Sequence, residues 1–359
     1  MQFLPLGASR VTVSRVIHGC MGFVDDDALA TRVIHAAFDA GVTSFDTAPL
    51  YGFGRSEERL AKAVADRRDR VQILTKVGLC WDGDHGGVLF ESVEGSVRRV
   101  VRRDSRPASI RQEVERSLRR LGVDVIDVLQ VHHRDLETPL GETMAALEAL
   151  TREGKIRAVG VSNYSRDELG ESAARLGSVP LAAAQLEYNL VNRRIEPDIL
   201  PWARQHSVGV LVYSPLAQGV LAGRQLGARP LPADWRRGGT YFDAVNLGVI
   251  NDALARSVVP IGKARGLEPA QVCLAWLLAQ PGITATIAGA GTPAQAVANA
   301  AAADVQLTAS ELELLTATWR RVELRSPPAA RAGFVRRVRS VLSRRVPSLL
   351  SRLRRIARR

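Results

Sequence analysis

Residues 126–161 read IDVLQVHHRDLETPLGETMAALEALTREGKIRAVGV, and the order of patterns in this stretch decides the fold. A nearly unbroken apolar run over 126–132 gives way to a segment of helical period over 140–153, and a second β-branched run follows over 158–161. Strand, helix and strand in this order suit parallel strands covered on both faces. The same alternation extends in both directions. Strands are expected over 16–19, 43–46, 71–76, 126–132, 158–161, 183–187, 209–213 and 285–288. Helices are expected over 27–40, 56–65, 107–121, 140–153, 166–176, 196–206, 252–263, 269–279, 293–302 and 308–319. Eight βα units spread over roughly 300 residues predict an α/β chain folded as a closed (β/α)8 TIM barrel. Residues 3–13, with Gly7 at a turn, predict a hairpin capping the barrel bottom. A doubly wound sheet fits less well, because no GxGxxG follows the first strand and no acidic residue stands at ribose distance beyond it.

The chain has 359 residues and a formal charge of +12, with 46% hydrophobic and 24% charged residues. These are globular proportions, and they exclude a disordered or fibrous chain. Eleven of the positive charges lie in the last 29 residues, which contain no acid, so the rest of the chain is nearly neutral. The boundary falls at Ser326-Pro327-Pro328-Ala329-Ala330, a helix-breaking linker. The expected division is a barrel over 1–325, a Pro-rich linker over 326–330 and an Arg-rich tail over 331–359. In the tail, Phe334, Val338, Val341, Val346, Leu349, Leu353 and Ile356 recur mostly at three- and four-residue spacing between arginines, and Pro347 divides the stretch. That basic amphipathic pattern suits an anionic membrane surface, and a solvated extension without a partner accounts for it equally. Nucleic acid is disfavoured, since Phe334 is the tail's one aromatic.

Cys20, Cys80 and Cys273 are far apart and lack CxxC spacing, which disfavours both disulfides and a zinc site and suits a reducing cytosol. The six histidines show no metal-ligand spacing. Residues 1–9 do not read as a signal peptide. The apolar stretch 269–291 is cut by Pro281-Gly282 and reads as a buried helix and strand. The expected location is therefore the cytoplasm, with the tail allowing peripheral contact with the inner membrane surface.

In a barrel, function gathers at the C-terminal ends of the strands. Asp46 ends the second expected strand, Lys76 the third and His132 the fourth. Asn163 follows the fifth, Gln185 lies in the sixth, Tyr213 ends the seventh and Gly289 follows the eighth. Tyr51 stands on the loop five residues past Asp46. A tyrosine, a lysine, an aspartate and a histidine in one mouth suit proton transfer to or from a carbonyl or alcohol oxygen. A phenol of pKa ~10 matches an alkoxide, a nearby ammonium lowers that pKa, and a carboxylate keeps the ammonium charged and aimed. Singly, Asp46 reads as a cap, Lys76 as a solvated strand end and His132 as a core histidine. Coincidence at every strand end of one barrel is the poorer account.

These residues resemble the aldo-keto reductases. The resemblance covers nearly all of 1–319 and is carried by GVTSFDTAPLYG over 41–52, LTKVG over 74–78, RSLRRLGVD over 116–124, GKIRAVGVSNY over 154–164 and YSPL over 213–216. It implies an NAD(P)H-dependent oxidoreductase that interconverts aldehydes or ketones and alcohols. Tyr51 would be the proton donor, Lys76 and Asp46 its tuning pair, and His132 the group orienting the carbonyl. It also implies a nicotinamide cofactor extended across the mouth. Gly19, Met21 and Asp46 would line it, Ser162, Asn163 and Gln185 would hold its carboxamide, and Tyr213 would stack on its ring. Ser214, Pro215, Leu216 and Gly219 would follow the pyrophosphate, with Gly289, Ala290, Gly291, Gln295 and Asn299 at the adenosine end. NADP(H) is expected ahead of NAD(H), although 289–295 carries no Arg or Lys to clamp a 2′-phosphate. His133 stands where many members carry an aromatic, which alters pocket polarity. Residues 81–106 and 219–249, the latter with Trp235 and Tyr241, read as long connections framing the substrate pocket. The competing reading is a cofactor-binding regulatory or sensor subunit with little turnover, tethered by its tail to a membrane or partner.

Overall fold

The computed structural model describes residues 1–22, 26–94, 96–226, 236 and 239–325. The linker, the Arg-rich tail and Trp235 lie outside the described residues. A hairpin of β1 (Phe3–Pro5) and β2 (Thr12–Ser14) opens the chain, followed by the first barrel strand β3 (Val16–Gly19), then β4 (Ser44–Asp46) and β5 (Gln72–Val77). A separate sheet of β6 (Leu79–Cys80), β7 (Val88–Glu94) and β8 (Val97–Arg103) interrupts the pattern. The barrel resumes with β9 (Ile126–Val131), β10 (Ile156–Ser162), β11 (Leu181–Glu187), β12 (Gly209–Tyr213) and β13 (Ile283–Ala288). The eight barrel strands pair in parallel and in chain order, and β13 pairs back onto β3 through Thr286 opposite Val16 and Ala288 opposite His18. This is the closed (β/α)8 barrel that the alternation predicts.

Around it lie α1 (Asp27–Asp39), α2 (Arg55–Val64), α3 (Pro107–Leu121), α4 (Leu140–Arg152), α5 (Arg166–Arg175) and α6 (Ile199–Gln205). After β12 come α7 (Ala244–Ala253), α8 (Val259–Arg265) and α9 (Pro269–Leu278), and α10 (Pro293–Ala301) and α11 (Ala309–Trp319) follow β13. Side chains alternate along each strand between two cores. Outward residues such as Leu129 and Val131 pack against the helices. Inward residues Ile17, Leu74, Val128, Ala158, Leu211 and Ala285 fill the barrel with Leu6, Val11 and Val13 from the hairpin. The hairpin thus plugs the bottom as expected. Gly7 makes the plug possible: at φ 57° its backbone passes so close to the barrel that an added Cβ would lie 2.6 Å from the carbonyl oxygens of Ala182 and Ser207.

Three expectations need correction. Residues 81–106 are not a bare connection, since β6, β8 and β7 form a three-stranded antiparallel sheet there. The helix expected over 196–206 starts at Ile199, where Asp198 accepts from the Ile199 N–H. An earlier start would set Pro201 in the helix interior, where it has no N–H to donate. The helix expected over 252–263 begins at Ala244 and widens to a π turn over Leu254–Val258 just before Pro260. Proline lacks the donor for the regular ladder, and the wider turn absorbs that loss. Among the described residues no helix is long and apolar enough to cross a membrane.

Candidate active site

Because all eight strands run the same way, their C-terminal ends share one mouth, and the expected polar residues meet there. Lys76 and Asp46 come from neighbouring strands. Lys76 Nζ donates to Asp46 Oδ1 at 2.7 Å and to the Thr47 carbonyl at 3.0 Å, and both side chains are buried. Asp46 Oδ2 accepts from Gln185 Nε2 at 2.8 Å, and Gln185 also donates to Gln130 Oε1 at 3.1 Å. Both oxygens of the buried carboxylate thus accept from a donor, Oδ1 from Lys76 and Oδ2 from Gln185. Burial disfavours the Lys76 ammonium, but Asp46 and then Tyr51 outweigh it and hold the group above the ordinary lysine range.

Tyr51 stands over this pair, with Lys76 Nζ 5.1 Å from its ring centre. Burial pushes the Tyr51 hydroxyl above its usual range, with Lys76 pulling against it. The expected lowering by lysine is therefore present and outweighed. The His132 ring meets Tyr51 edge-on at 5.9 Å and stacks on His133 at 5.4 Å. Burial, then Lys76 and His133, drive the His132 imidazole well below its normal range, so it is neutral at pH 7.

The other expected residues ring the same mouth. Gly19 ends β3, and an added Cβ would press to 3.0 Å from Ile287, while Met21 beyond it is 56% exposed. Asn163, at φ 63°, donates to the His132 carbonyl at 3.0 Å and to Ser162 Oγ at 3.1 Å, and accepts from the Tyr213 hydroxyl at 2.7 Å. The Ser214 carbonyl accepts from Asn189, and Pro215 and Leu216 lead into a turn over Ala217–Ala222 that contains Gly219. Ser214, Ala217 and Gln218 all take positive φ, each at a cost of roughly 1–2 kcal/mol. Among the described residues Gln218 Oε1 is buried there without a partner. A strained loop with an orphaned acceptor on the strand ends fits a polar ligand lying across it. Gly289, Ala290 and Gly291 link β13 to α10, where Gly291 N–H donates to Gln295 and Asn299 donates to the Gly289 carbonyl. Tyr241 donates to Glu187 at the end of β11, so its loop does border the mouth.

Sequence reasoning missed Gln130, although a glutamine inside an apolar strand is the signal that singled out Gln185. It also missed Phe53, whose ring meets Trp81 at 5.3 Å on the wall beyond Tyr51. Among the described residues no cluster of metal-ligating side chains occurs. An open groove at the opposite end, bordered by Arg10, Arg68 and Asp127, shares no residue with this mouth.

A one-ended barrel with an acid, an ammonium and a carboxylate at its mouth defines a class of oxidoreductases acting on carbonyl and alcohol groups. The chain belongs to the aldo/keto reductase family, whose family description matches residues 15–320. It is 32% identical over 327 residues to the NADH-specific methylglyoxal reductase of Escherichia coli (strain K12), covering 88% of this chain and 97% of that protein. It is 33% identical over 313 residues to the aldo-keto reductase YhdN of Bacillus subtilis (strain 168), covering 82% and 86%. Among solved structures it is similar to the glycerol dehydrogenase AKR11B4 from Gluconobacter oxydans, with a TM-score of 0.79, 33% identity and coverage of 91% and 98%. Aldo-keto reductase AKR11C1 from Bacillus halodurans gives a TM-score of 0.73 at 28% identity, with coverage of 89% and 96%. The protein is a nicotinamide-dependent oxidoreductase of carbonyl and alcohol groups. The regulatory alternative gains nothing from these relatives.

Proposed function

We propose that the protein reduces aldehydes or ketones with Tyr51 as the proton donor. The observation that carries this is the buried Lys76–Asp46 pair beneath Tyr51 and beside a neutral His132. When bound, the reduced nicotinamide supplies the hydride to the carbonyl carbon. The Tyr51 hydroxyl gives its proton to the carbonyl oxygen, and the Lys76 ammonium stabilises the phenolate left behind. Asp46 keeps Lys76 protonated, and Gln185 and Gln130 keep Asp46 in place. Neutral His132 makes no side-chain hydrogen bond within the described protein, so its ring is available to orient the substrate oxygen. Gln185 Oε1, Ser162 and Asn163 suit a carboxamide, and the 214–219 loop suits the pyrophosphate.

For the adenosine end, the resemblance implies NADP(H). The absence of Arg and Lys from 289–301 argues for NAD(H) serving at least as well, as does the NADH-specific name of one relative. Titration with NADPH and NADH, followed by protein fluorescence, distinguishes the two. Tyr51→Phe is expected to lower kcat by roughly 10²–10⁴-fold while cofactor affinity changes little. A variant with wild-type turnover across an aldehyde panel would falsify the assignment. The division at 326–330 and the membrane reading of the tail rest on sequence pattern. Equal sedimentation with anionic vesicles by the full chain and by a chain ending at Ala330 ends the membrane reading.

A further inference from the structure

The buried carboxylate of Glu57 takes no part in the proton transfer described above. It lies in the first turn of α2, six residues beyond Tyr51, and is fully enclosed. Its Oε1 accepts from Thr75 Oγ1 at 2.7 Å and its Oε2 from Arg120 Nε at 2.6 Å. Thr75 precedes Lys76 on β5. It shares the outward face of the strand with Ile73 and Val77, while Lys76 follows Leu74 on the inward face. Arg120 comes from α3, donates onward to Ser117 Oγ at 3.2 Å, and lies across Gly54, where an added Cβ would meet its Cδ at 2.9 Å. Replacing a buried pair of this kind by apolar groups of like volume often costs nothing in stability, so adhesion between helices does not account for it. What a doubly engaged carboxylate fixes is direction and distance.

The loop carrying Tyr51 holds itself together through the Gly54 N–H to the Pro49 carbonyl at 2.7 Å and the Ser56 N–H to the Tyr51 carbonyl at 3.1 Å. Its start is tied to β5 by the Thr47 N–H, which donates to the Leu74 carbonyl at 2.8 Å. At its end Ser56 Oγ bonds Thr47 Oγ1 at 2.8 Å and the Cys20 carbonyl at 3.1 Å, and Glu57 ties that end to β5 beside Lys76. We infer that Glu57 is a positioning residue for the reduction: through Thr75 and Arg120 it fixes the separation of the Tyr51 hydroxyl from the Lys76 ammonium. This rests on the reductase reading above, in which Tyr51 gives the proton.

The test uses the full chain, an aldehyde it reduces and the better of the two cofactors. Thr75→Val keeps the volume and removes the donor. Its single-turnover rate is expected to fall roughly 10–100-fold, as for a misplacement of about 1 Å, with cofactor affinity little changed. The alkaline fall of the rate, where Tyr51 loses its proton, should move to higher pH, because the ammonium that pulls the phenol down is less closely held. Thr75→Ser keeps the hydroxyl and should retain most of the parent rate. Glu57→Asp, one methylene too short to span Thr75 and Arg120, should repeat the Thr75→Val result, and it reads the same contact if Thr75→Val does not fold. Ser257→Ala removes a buried hydroxyl that accepts from Trp319 Nε1 at 3.2 Å among the outer helices. It should lower the melting temperature and leave the rate and its pH dependence as they are. Parent rates in Thr75→Val and Glu57→Asp, slower rates without the alkaline shift, a Thr75→Ser as slow as Thr75→Val, or an equal effect in Ser257→Ala overturn the inference while leaving the reductase reading intact. A parent chain that oxidises neither cofactor with any aldehyde, or a Tyr51→Phe variant as fast as the parent, overturns the reductase reading and this one with it.

Discussion

His18, His132 and His133 give the barrel a built-in response to acid. Burial brings His18 down to about 4, and burial followed by the charge of Arg103 brings His133 to about 4, with His132 also well below its usual range. An unfolded imidazole takes its proton near pH ~6.5, so between that point and about 4 the unfolded chain holds more protons than the folded one. Stability is then full above the unfolded value and declines as pH falls through this window, by up to about 3 kcal/mol each for His18 and His133. Glu113 works in the opposite direction. Burial raises its carboxyl to about 7 against the Gly78 N–H it accepts, so its contribution is present at low pH and is lost as pH rises through about 7. Three groups outweigh one, and the urea midpoint is expected to fall on acidification from pH 6.5 to 4.5. Glu113→Gln should steepen that acid slope and remove the loss near neutrality; an unchanged pH profile contradicts the assignment. Depth of this kind was not legible in the sequence. The identities of Tyr51, Lys76, Asp46 and His132 were, because a polar residue closing an apolar strand is visible in one dimension. Whether burial or a neighbouring ammonium governs Tyr51 depends on the packing above it.

Among the elements, the barrel strands and most helices could be read because each buries a continuous face against a partner of the same period. The sheet over 79–103 could not. Its central strand, VRRVVRR, is dominated by arginines, and with one face turned to the mouth it lacks the apolar run that marks a barrel strand. The hairpin was legible through Gly7, and its fit is the more easily broken. Gly7→Ala would force a left-handed alanine whose Cβ meets two carbonyl oxygens at 2.6 Å and the Gly209 nitrogen at 2.9 Å. A loss of roughly 2–4 kcal/mol is expected, seen as a lower melting temperature. Turnover per folded molecule should be kept, because the plug lies at the end of the barrel away from Tyr51. A variant as stable as the parent would mean that the hairpin does not bear on the barrel floor.

For the molecule as a whole, the charge that dominates the composition lies in the last 29 residues of the sequence, and the residues of the mouth belong to the nearly neutral part. The ring itself is completed late in the chain. β3 has one neighbour in β4 and the other in β13, and Arg15 reinforces the seam by donating to the Ile283 and Thr284 carbonyls. A chain ending at Gln280 leaves β3 and β12 each with an open edge, and is expected to show no cooperative melting transition and to aggregate; a sharp transition would show that the seam is dispensable. The timing of biosynthesis follows from the same seam. Some 270 residues separate His18 from its partner Ala288, which at ~5–20 residues per second is roughly 15–55 s of translation. Throughout that interval the first strand leaves the ribosome with one edge unclaimed, so the nascent chain's exposure to chaperones is set by where its last strand is encoded.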